Sequence, residues 1–251
     1  MTQAASRHGG SRAVKYRAVV FDLFHTLVDP EDFRPKEHRR AETVANLIGV
    51  DPQAFTSYWQ ETLNLRTSTS KPVVRYVEEY LSAAGKPYPQ DVLAKVDHEL
   101  GRYQDLSILH PRPNVAPFLQ TLKRRGAKLG ILSNCDEREF REWPNSPLAP
   151  LFDTVCVSYD IGWRKPDLRA YLTILERLGG HAYEDVFVGD GGDQELEGAK
   201  AAGFGRVIFM RGFVSRNGLR TPSELASTQT HADTTVDALE ELVPLLDGLK
   251  A

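Results

Sequence analysis

The sequence has few cysteines, no long apolar run and no excess of positive charge. Its 251 residues include only two cysteines, Cys135 and Cys156, which is too few for a disulfide framework and is typical of a reducing compartment. No stretch is long and apolar enough to span a bilayer, and residues 1–15 are polar, rich in Gly and Ser, and without the apolar segment of a secretion signal. We expect residues 1–15 to be a disordered N-terminal tail on a cytoplasmic protein that has no membrane partner.

The charge balance also narrows the choice of partner. The formal net charge is −3, and no basic stripe is present that would neutralise a nucleic-acid backbone, so nucleic acid is not an expected partner. Hydrophobic residues make up 41% and charged residues 26% of the chain, which is the ordinary range for a globular protein with a substantial core. The composition leaves open a small-molecule substrate, an anionic one included, and either a monomer or a homodimer.

Short apolar runs rich in β-branched residues recur along the chain, and helical patterns separate them. The predicted strands are Ala18 to Asp22, Leu129 to Asn134, Thr154 to Ser158, Val186 to Asp190, Arg206 to Met210 and a last one at Asp233 to Val236. The predicted helices are Val115 to Arg125, Arg169 to Leu178, Gln194 to Ala202 and Asp237 to Leu246, with a loop or short irregular helix from Gly212 to Ala232. This alternation predicts an α/β fold with a doubly wound parallel sheet.

Residues 30–113 interrupt the alternation, because they show helical periodicity without a comparable buried strand. Asp29-Pro30 marks the start of this insertion, and the prolines at 111, 113 and 117 mark the return to the sheet. We therefore predict a core domain over residues 16–29 and 114–251 and a helical subdomain over residues 30–113. Its hinges are expected near Asp29 to Glu31 and His110 to Pro113.

Polar residues stand at the carboxyl ends of the predicted strands, where ligands bind in open parallel sheets. Asp22 ends the first strand, Ser133 and Asn134 end the second, Lys165 follows the third in a loop, and Asp190 ends the fourth. Because buried carboxylates and a buried ammonium need partners, we expect these side chains to form one site.

Four segments of the chain hold these polar residues or stand beside them: FDLFHTLVD (Phe21 to Asp29), ILSN (Ile131 to Asn134), RKPD (Arg164 to Asp167) and VGDGGDQELEGAKAAG (Val188 to Gly203). In this order they resemble the four motifs of the haloacid dehalogenase superfamily. The resemblance covers roughly Tyr16 to Met210, and the helical insertion stands where that family carries a C1-type cap. It implies a Rossmann-like core and a hydrolase.

The resemblance also implies roles for individual residues. Asp22 corresponds to a nucleophile that forms an aspartyl-phosphate. Ser133, Asn134 and Lys165 would bind the phosphoryl group. A Mg²⁺ ion, which offsets the repulsion between two anions, would be held by Asp22, the Phe24 backbone carbonyl and Asp190. The supporting residues would be Thr26 behind the nucleophile, Glu195 as an orienting group for Lys165 or for a metal-bound water, and His25 in the turn.

The sequence departs from the phosphatase pattern at Phe24, where most phosphatases of the superfamily have a second aspartate that acts as general acid and base. Such proton transfer contributes about 10²- to 10⁴-fold in rate. His25 is the nearest titratable side chain, although a turn histidine with a local hydrogen bond is the favoured interpretation. The main prediction is a Mg²⁺-dependent phosphatase that acts on a small phosphorylated metabolite. A metal-free 2-haloacid dehalogenase, which often has an aromatic residue at this position, and a non-catalytic binding protein of the same fold are the alternatives.

Two further interpretations concern charged residues. Asp193 lies before a predicted helix and is expected to be its N-cap. Arg39 and Arg40 have the spacing of a charged helix face in water, and this is preferred to a role in substrate binding.

Overall fold

A computed structural model of the protein describes residues 16–246; the predicted tail over residues 1–15 lies outside them. One parallel sheet of six strands has the order β3-β2-β1-β4-β5-β6. The strands are β1 (Ala18–Phe21), β2 (Lys128–Ser133), β3 (Thr154–Val157), β4 (Asp185–Gly189), β5 (Arg206–Met210) and β6 (Thr234–Val236). The chain starts in the centre, moves to one edge and returns to build the other, so the predicted doubly wound α/β fold is confirmed.

Helices cover both faces of the sheet and fill the connection between β1 and β2. In chain order they are α1 (Arg40–Ile48), α2 (Pro52–Glu61), α3 (Leu63–Arg66), α4 (Val74–Ala83), α5 (Gln90–Leu109), α6 (Val115–Arg124), α7 (Glu137–Phe140), α8 (Ser158–Ile161), α9 (Leu168–Leu178), α10 (Glu195–Ala201), α11 (Gly212–Arg216), α12 (Pro222–Gln229) and α13 (Leu242–Leu245). Across residues 16–246, none of them combines the length and the hydropathy that a bilayer span needs.

Side chains of β1 alternate between two hydrophobic clusters, as the period of two in a strand requires. Val19 and Phe21 join the cluster under α6, whereas Ala18 and Val20 join the cluster under α9 and α10. Every residue of β1 is fully buried, because helices cover the central strand on both sides. Asp22 therefore follows a strand that is buried on both faces.

Helices α1, α2, α4 and α5 pack around a third cluster. This cluster includes Phe55, Val77 and Val96 and shares no member with the two clusters at the sheet. The helices that form it all lie in the insertion predicted between the first two strands. The boundaries proposed for the two domains stay a prediction.

The region after β5 is more regular than predicted. Two short helices, α11 and α12, occupy most of the segment from Gly212 to Ala232. Helix α12 begins at a capping box in which Thr221 and Glu224 bond each other's backbone N–H groups, with Pro222 in the first turn. The single helix predicted from Asp237 to Leu246 is wrong in extent. The Glu241 side chain accepts hydrogen bonds from the N–H groups of Asp237 and Ala238, so a 3-10 turn (Leu239–Glu241) and α13 begin only after these residues.

Candidate active site

Asp22 directly follows β1 and is held from three directions. Its backbone N–H donates to the Val188 carbonyl of β4 at 2.9 Å. Its Oδ2 accepts from Thr26 Oγ1 at 3.2 Å, and its Oδ1 accepts from Lys165 Nζ at 2.6 Å. The carboxylate is thereby fixed at the carboxyl end of the central strand, and only 6% of the residue is exposed.

Lys165 donates to a second carboxylate, that of Glu195. Glu195 also accepts from the Gly191 N–H at 2.8 Å, and a Cβ atom on Gly189 would lie 2.2 Å from Glu195 Oε1, so the glycine at the end of β4 leaves room for this carboxylate. Burial raises the pKa of Asp22 and Glu195, against the opposing charge of Lys165. Although burial opposes the charge of Lys165, the two carboxylates raise the pKa of its ammonium.

Asn134 holds the loop that carries Lys165. Its Oδ1 accepts from the Lys165 N–H at 2.8 Å, and its Nδ2 donates to the Lys165 carbonyl at 2.9 Å and to Asp193 Oδ2 at 2.7 Å. Ser133 Oγ is buried and has no hydrogen-bond partner among the described residues. At this strand end the Ser133 hydroxyl is therefore available to a ligand, whereas the Asn134 side chain already has protein partners.

The N-cap predicted at Asp193 is wrong. Asp193 has a φ of 50° inside the 3-10 turn (Gly192–Gln194), and Gln194 occupies the N-cap position of α10 without a side-chain hydrogen bond. In this left-handed conformation the Asp193 carboxylate accepts from Asn134 and from Arg164 Nη2 at 2.8 Å. It joins two loops at the edge of the site instead of capping the helix.

His25 and Phe24 lie in the turn after Asp22 and line the same cavity as that residue. His25 has a φ of 59°, a conformation that glycine adopts without strain. Its Nδ1 lies 3.0 Å from Oδ1 of the buried Asp29. The favoured interpretation of His25, a turn histidine with a local hydrogen bond, agrees with this geometry. Phe24 carries no group that transfers a proton.

Arg220 was not predicted as a site residue, because it lies in the weakly patterned segment before α12. Its Nη2 donates to Asp190 Oδ2 at 2.9 Å, and its Nη1 donates to the Asp190 carbonyl. Asp190 Oδ1 also accepts from the Gly192 N–H at 3.1 Å. The interpretation of Arg40 as part of a solvated helix face is wrong as well, because Arg40 lines the cavity together with Arg34 and Gln104.

Three of these carboxylates fit a divalent cation. Asp22, Asp190 and Glu195 are buried, and each offers an oxygen atom within 4.8 Å of the others. Lys165 and Arg220 are the cations in hydrogen-bond contact with them, which leaves negative charge in excess. Hard oxygen donors of this kind suit Mg²⁺. All the predicted site residues except Thr26 line one cavity of about 500 Å³, and Thr26 contacts the Asp22 carboxylate.

The chain is similar in sequence to known hydrolases. Residues 16–203 match the family model described as haloacid dehalogenase-like hydrolase. A glyceraldehyde 3-phosphate phosphatase of Methanocaldococcus jannaschii is 26% identical over 247 residues, which cover 93% of this chain and 98% of the relative. Phosphatase MT3486 of Mycobacterium tuberculosis is 30% identical over 207 residues, which cover 80% of this chain and 91% of the relative.

Among solved structures, a 2-haloacid dehalogenase from Pseudomonas syringae superposes with a TM-score of 0.61 at 23% identity, covering 92% of this chain and 98% of that chain. At that identity the likeness shows the fold alone. The chain belongs to the haloacid dehalogenase-like hydrolases. It is a hydrolase with relatives named as phosphatases.

Proposed function

We propose that the protein is a Mg²⁺-dependent phosphatase that hydrolyses a small phosphorylated metabolite through an aspartyl-phosphate at Asp22. The observation that carries the proposal is the buried cluster of Asp22, Asp190 and Glu195, in which the ammonium of Lys165 pairs with Asp22 and Glu195. A carboxylate nucleophile with a fixed cation beside it suits attack on an anionic phosphorus centre. The phosphatase names of the relatives support the same reaction class.

The reaction takes two displacements. An oxygen of the Asp22 carboxylate attacks phosphorus, the bond from phosphorus to the ester oxygen breaks, and that oxygen leaves with the electron pair and takes up a proton. Water then attacks the phosphorus of the aspartyl-phosphate, which releases inorganic phosphate and the carboxylate and gives up a proton. Thr26 and Lys165 hold the two carboxylate oxygens of Asp22, so the nucleophile needs little reorganisation before attack.

Residues around Asp22 would bind the phosphoryl oxygens. Lys165 supplies positive charge, and Ser133 supplies a hydroxyl that lacks a protein partner. Asn134 acts chiefly by holding the Lys165 loop in position. Asp22, Asp190 and the Phe24 carbonyl would hold a Mg²⁺ ion, with Glu195 supporting it; when bound, the ion neutralises charge on the phosphoryl group.

Phe24 limits the choice of substrate. With no carboxylate at this position, the leaving oxygen must take its proton from water or from another group that lines the cavity, where His25 contributes an imidazole. We therefore expect esters with good leaving groups, which need little protonation, to react faster than alkyl phosphates.

We further propose that residues 30–113 form the cap of this site. Arg34, Arg40 and Gln104 reach the cavity from this segment. The two ends of this segment, where it connects to the core, are held together by an ion pair in which Arg112 Nε donates to Asp32 Oδ2 at 2.7 Å. A cytoplasmic location and a monomeric or homodimeric state stay predictions.

Carbon–halogen hydrolysis is the second candidate, and the aromatic Phe24 favours it. The charges of the site favour phosphoryl transfer. In a metal-free site Asp190 would lie close to the Asp22 carboxylate, and among the described residues Arg220 is the cation that pairs with Asp190.

The proposal is tested by phosphate release from a panel of monoesters, including an activated aryl phosphate, with and without Mg²⁺. We expect Mg²⁺-dependent turnover in the wild type and a loss of at least about 10³-fold in Asp22→Asn, because the amide is a poor nucleophile. Equal denaturant midpoints for the two proteins would show that the variant is folded. Chloride release from 2-chloropropionate without Mg²⁺, together with no phosphate release, would instead establish the dehalogenase.

A further inference from the structure

Resting on the proposed phosphatase function, we infer that Arg40 binds a second anionic group of the substrate, a carboxylate or a second phosphate. Arg40 is the first residue of α1 and lines the cavity into which Asp22 opens. Its ion pairs among the described residues are with Glu139 and Asp136, and neither is a member of the Asp22, Asp190 and Glu195 cluster. Arg40 therefore does not serve as the counter-ion of the proposed catalytic carboxylates.

The wall that the insertion contributes to the cavity is rich in hydrogen-bond donors. Arg34, Arg40 and Gln104 line it, and the Glu139 carboxylate from α7 is the acidic group beside Arg40. The nucleophile side, in contrast, has more carboxylates than cations. A volume of about 500 Å³ falls within the range of small-molecule sites. One substrate can thus contact both walls.

The Arg40 guanidinium has donors without acceptors. Nη1 donates to Glu139 Oε1 at 2.5 Å, but Nε and Nη2 have no hydrogen-bond partner in the described part of the chain. Asp136 Oδ2 lies 3.8 Å from Nη2, which is beyond hydrogen-bond distance. Buried donors without partners are costly, and the planar fork of an arginine matches a carboxylate or a phosphate. A substrate anion would satisfy these donors.

The inference predicts a preference between esters that differ in one group. 3-Phosphoglycerate and glycerol 3-phosphate have the same carbon chain, but only the first has a carboxylate. We expect kcat/KM to favour 3-phosphoglycerate in the wild type. Arg40→Gln should reduce this preference by about 10- to 100-fold, mainly through KM, which is the loss expected for one or two charge-assisted hydrogen bonds. Comparison of fructose 1,6-bisphosphate with fructose 6-phosphate tests a second phosphate as the anion.

Two matched variants separate binding from structure. Arg39→Gln removes the same charge one residue earlier, from an exposed side chain that donates to backbone carbonyls, and should leave the preference unchanged. Glu139→Gln breaks the ion pair with Arg40 but keeps its guanidinium, and glutamine also suits the capping box at α7. Because it removes the competing anion, Glu139→Gln should increase the preference for 3-phosphoglycerate.

The outcomes also separate this inference from the proposed function. If an aryl phosphate is hydrolysed but the wild type does not prefer either second-anion ester, the inference is wrong and the phosphatase stands. Parallel losses in Arg40→Gln and Glu139→Gln would show that only the ion pair matters and would overturn the role of Arg40. If no ester is hydrolysed, the proposed function fails first.

Discussion

Lys165 is the residue on which the charge balance of the site depends. The residue is 3% exposed, and its ammonium contacts the carboxylates of Asp22 and Glu195. Removing one partner of a buried ion pair is costly, because the remaining charge keeps its desolvation without its compensation. In this cluster the loss of one lysine leaves two carboxylates without their cation.

We expect Lys165→Met to lower the free energy of unfolding by roughly 3 to 5 kcal/mol in the presence of a chelator. The double variant with Glu195→Gln should recover part of this loss, because it removes one of the two unpaired carboxylates. Urea unfolding of the wild type, both single variants and the double variant measures the coupling. A strictly additive double variant would contradict the interaction between Lys165 and Glu195.

Individual residues also show which parts of the site could be predicted from the sequence. Asp22 and Asp190 were predictable because each ends a strand, and parallel strands bring their carboxyl ends to one edge. Arg40 and Arg220 were not, because their contact with the cavity depends on how the insertion and the segment between α11 and α12 pack onto the core. Local pattern carries no information about such packing.

Helix α7 begins at a buried N-cap carboxyl, that of Asp136. It has only four residues, and its N-cap Asp136 accepts from the N–H groups of Arg138 and Glu139 in a capping box. Burial, with repulsion from Glu139, raises the pKa of Asp136 to about 7, against the opposing charges of Arg40 and Arg66. The folded protein therefore favours the protonated form of this carboxyl.

Because the pKa of Asp136 is raised in the folded protein, its contribution to the free energy of unfolding should decrease as the pH rises. The contribution of Asp136 to stability is fully present below its ordinary pKa of 3.8 and is lost as the pH rises through about 7. We expect Asp136→Asn, which keeps a good N-cap, to gain stability relative to the wild type between pH 4 and pH 8. Unfolding in urea across this range measures the difference. A difference that is constant with pH would contradict the raised pKa.

Elements differ in how well the sequence predicted them. All six strands were predicted to within one residue of each end, because each is a short run rich in apolar or β-branched residues. The last helix was predicted too long, since its start depends on where the Glu241 side chain turns.

At the scale of the whole molecule, polar contacts are prominent where the helical insertion meets the sheet domain. Arg138 of α7 donates to both carboxylate oxygens of Asp105 in α5, at 2.7 and 2.6 Å, and to the Asp97 carbonyl at 2.8 Å. A Cβ atom on Gly101 would lie 2.0 Å from the Arg138 guanidinium. The glycine in α5 thus makes room for this arginine between the two parts of the molecule.

We expect Arg138→Met to lower the free energy of unfolding by about 3 kcal/mol, because Asp105 loses its bidentate partner in a largely buried setting. Arg141→Met is the matched control. Arg141 pairs with Asp97 of the same helix α5, but its side chain is 42% exposed, so its loss should stay below about 1 kcal/mol. Urea unfolding measures both, and equal losses would contradict a special role for Arg138.

The cation that faces Asp22 lies 143 positions later in the chain. A chain leaving the ribosome therefore carries Asp22 long before Lys165 has been made, and the crossovers through β2 and β3 must close before the two side chains meet. Until then Asp22 is an ordinary aspartate in water. The site is assembled only after the chain has been made past Lys165 and has folded.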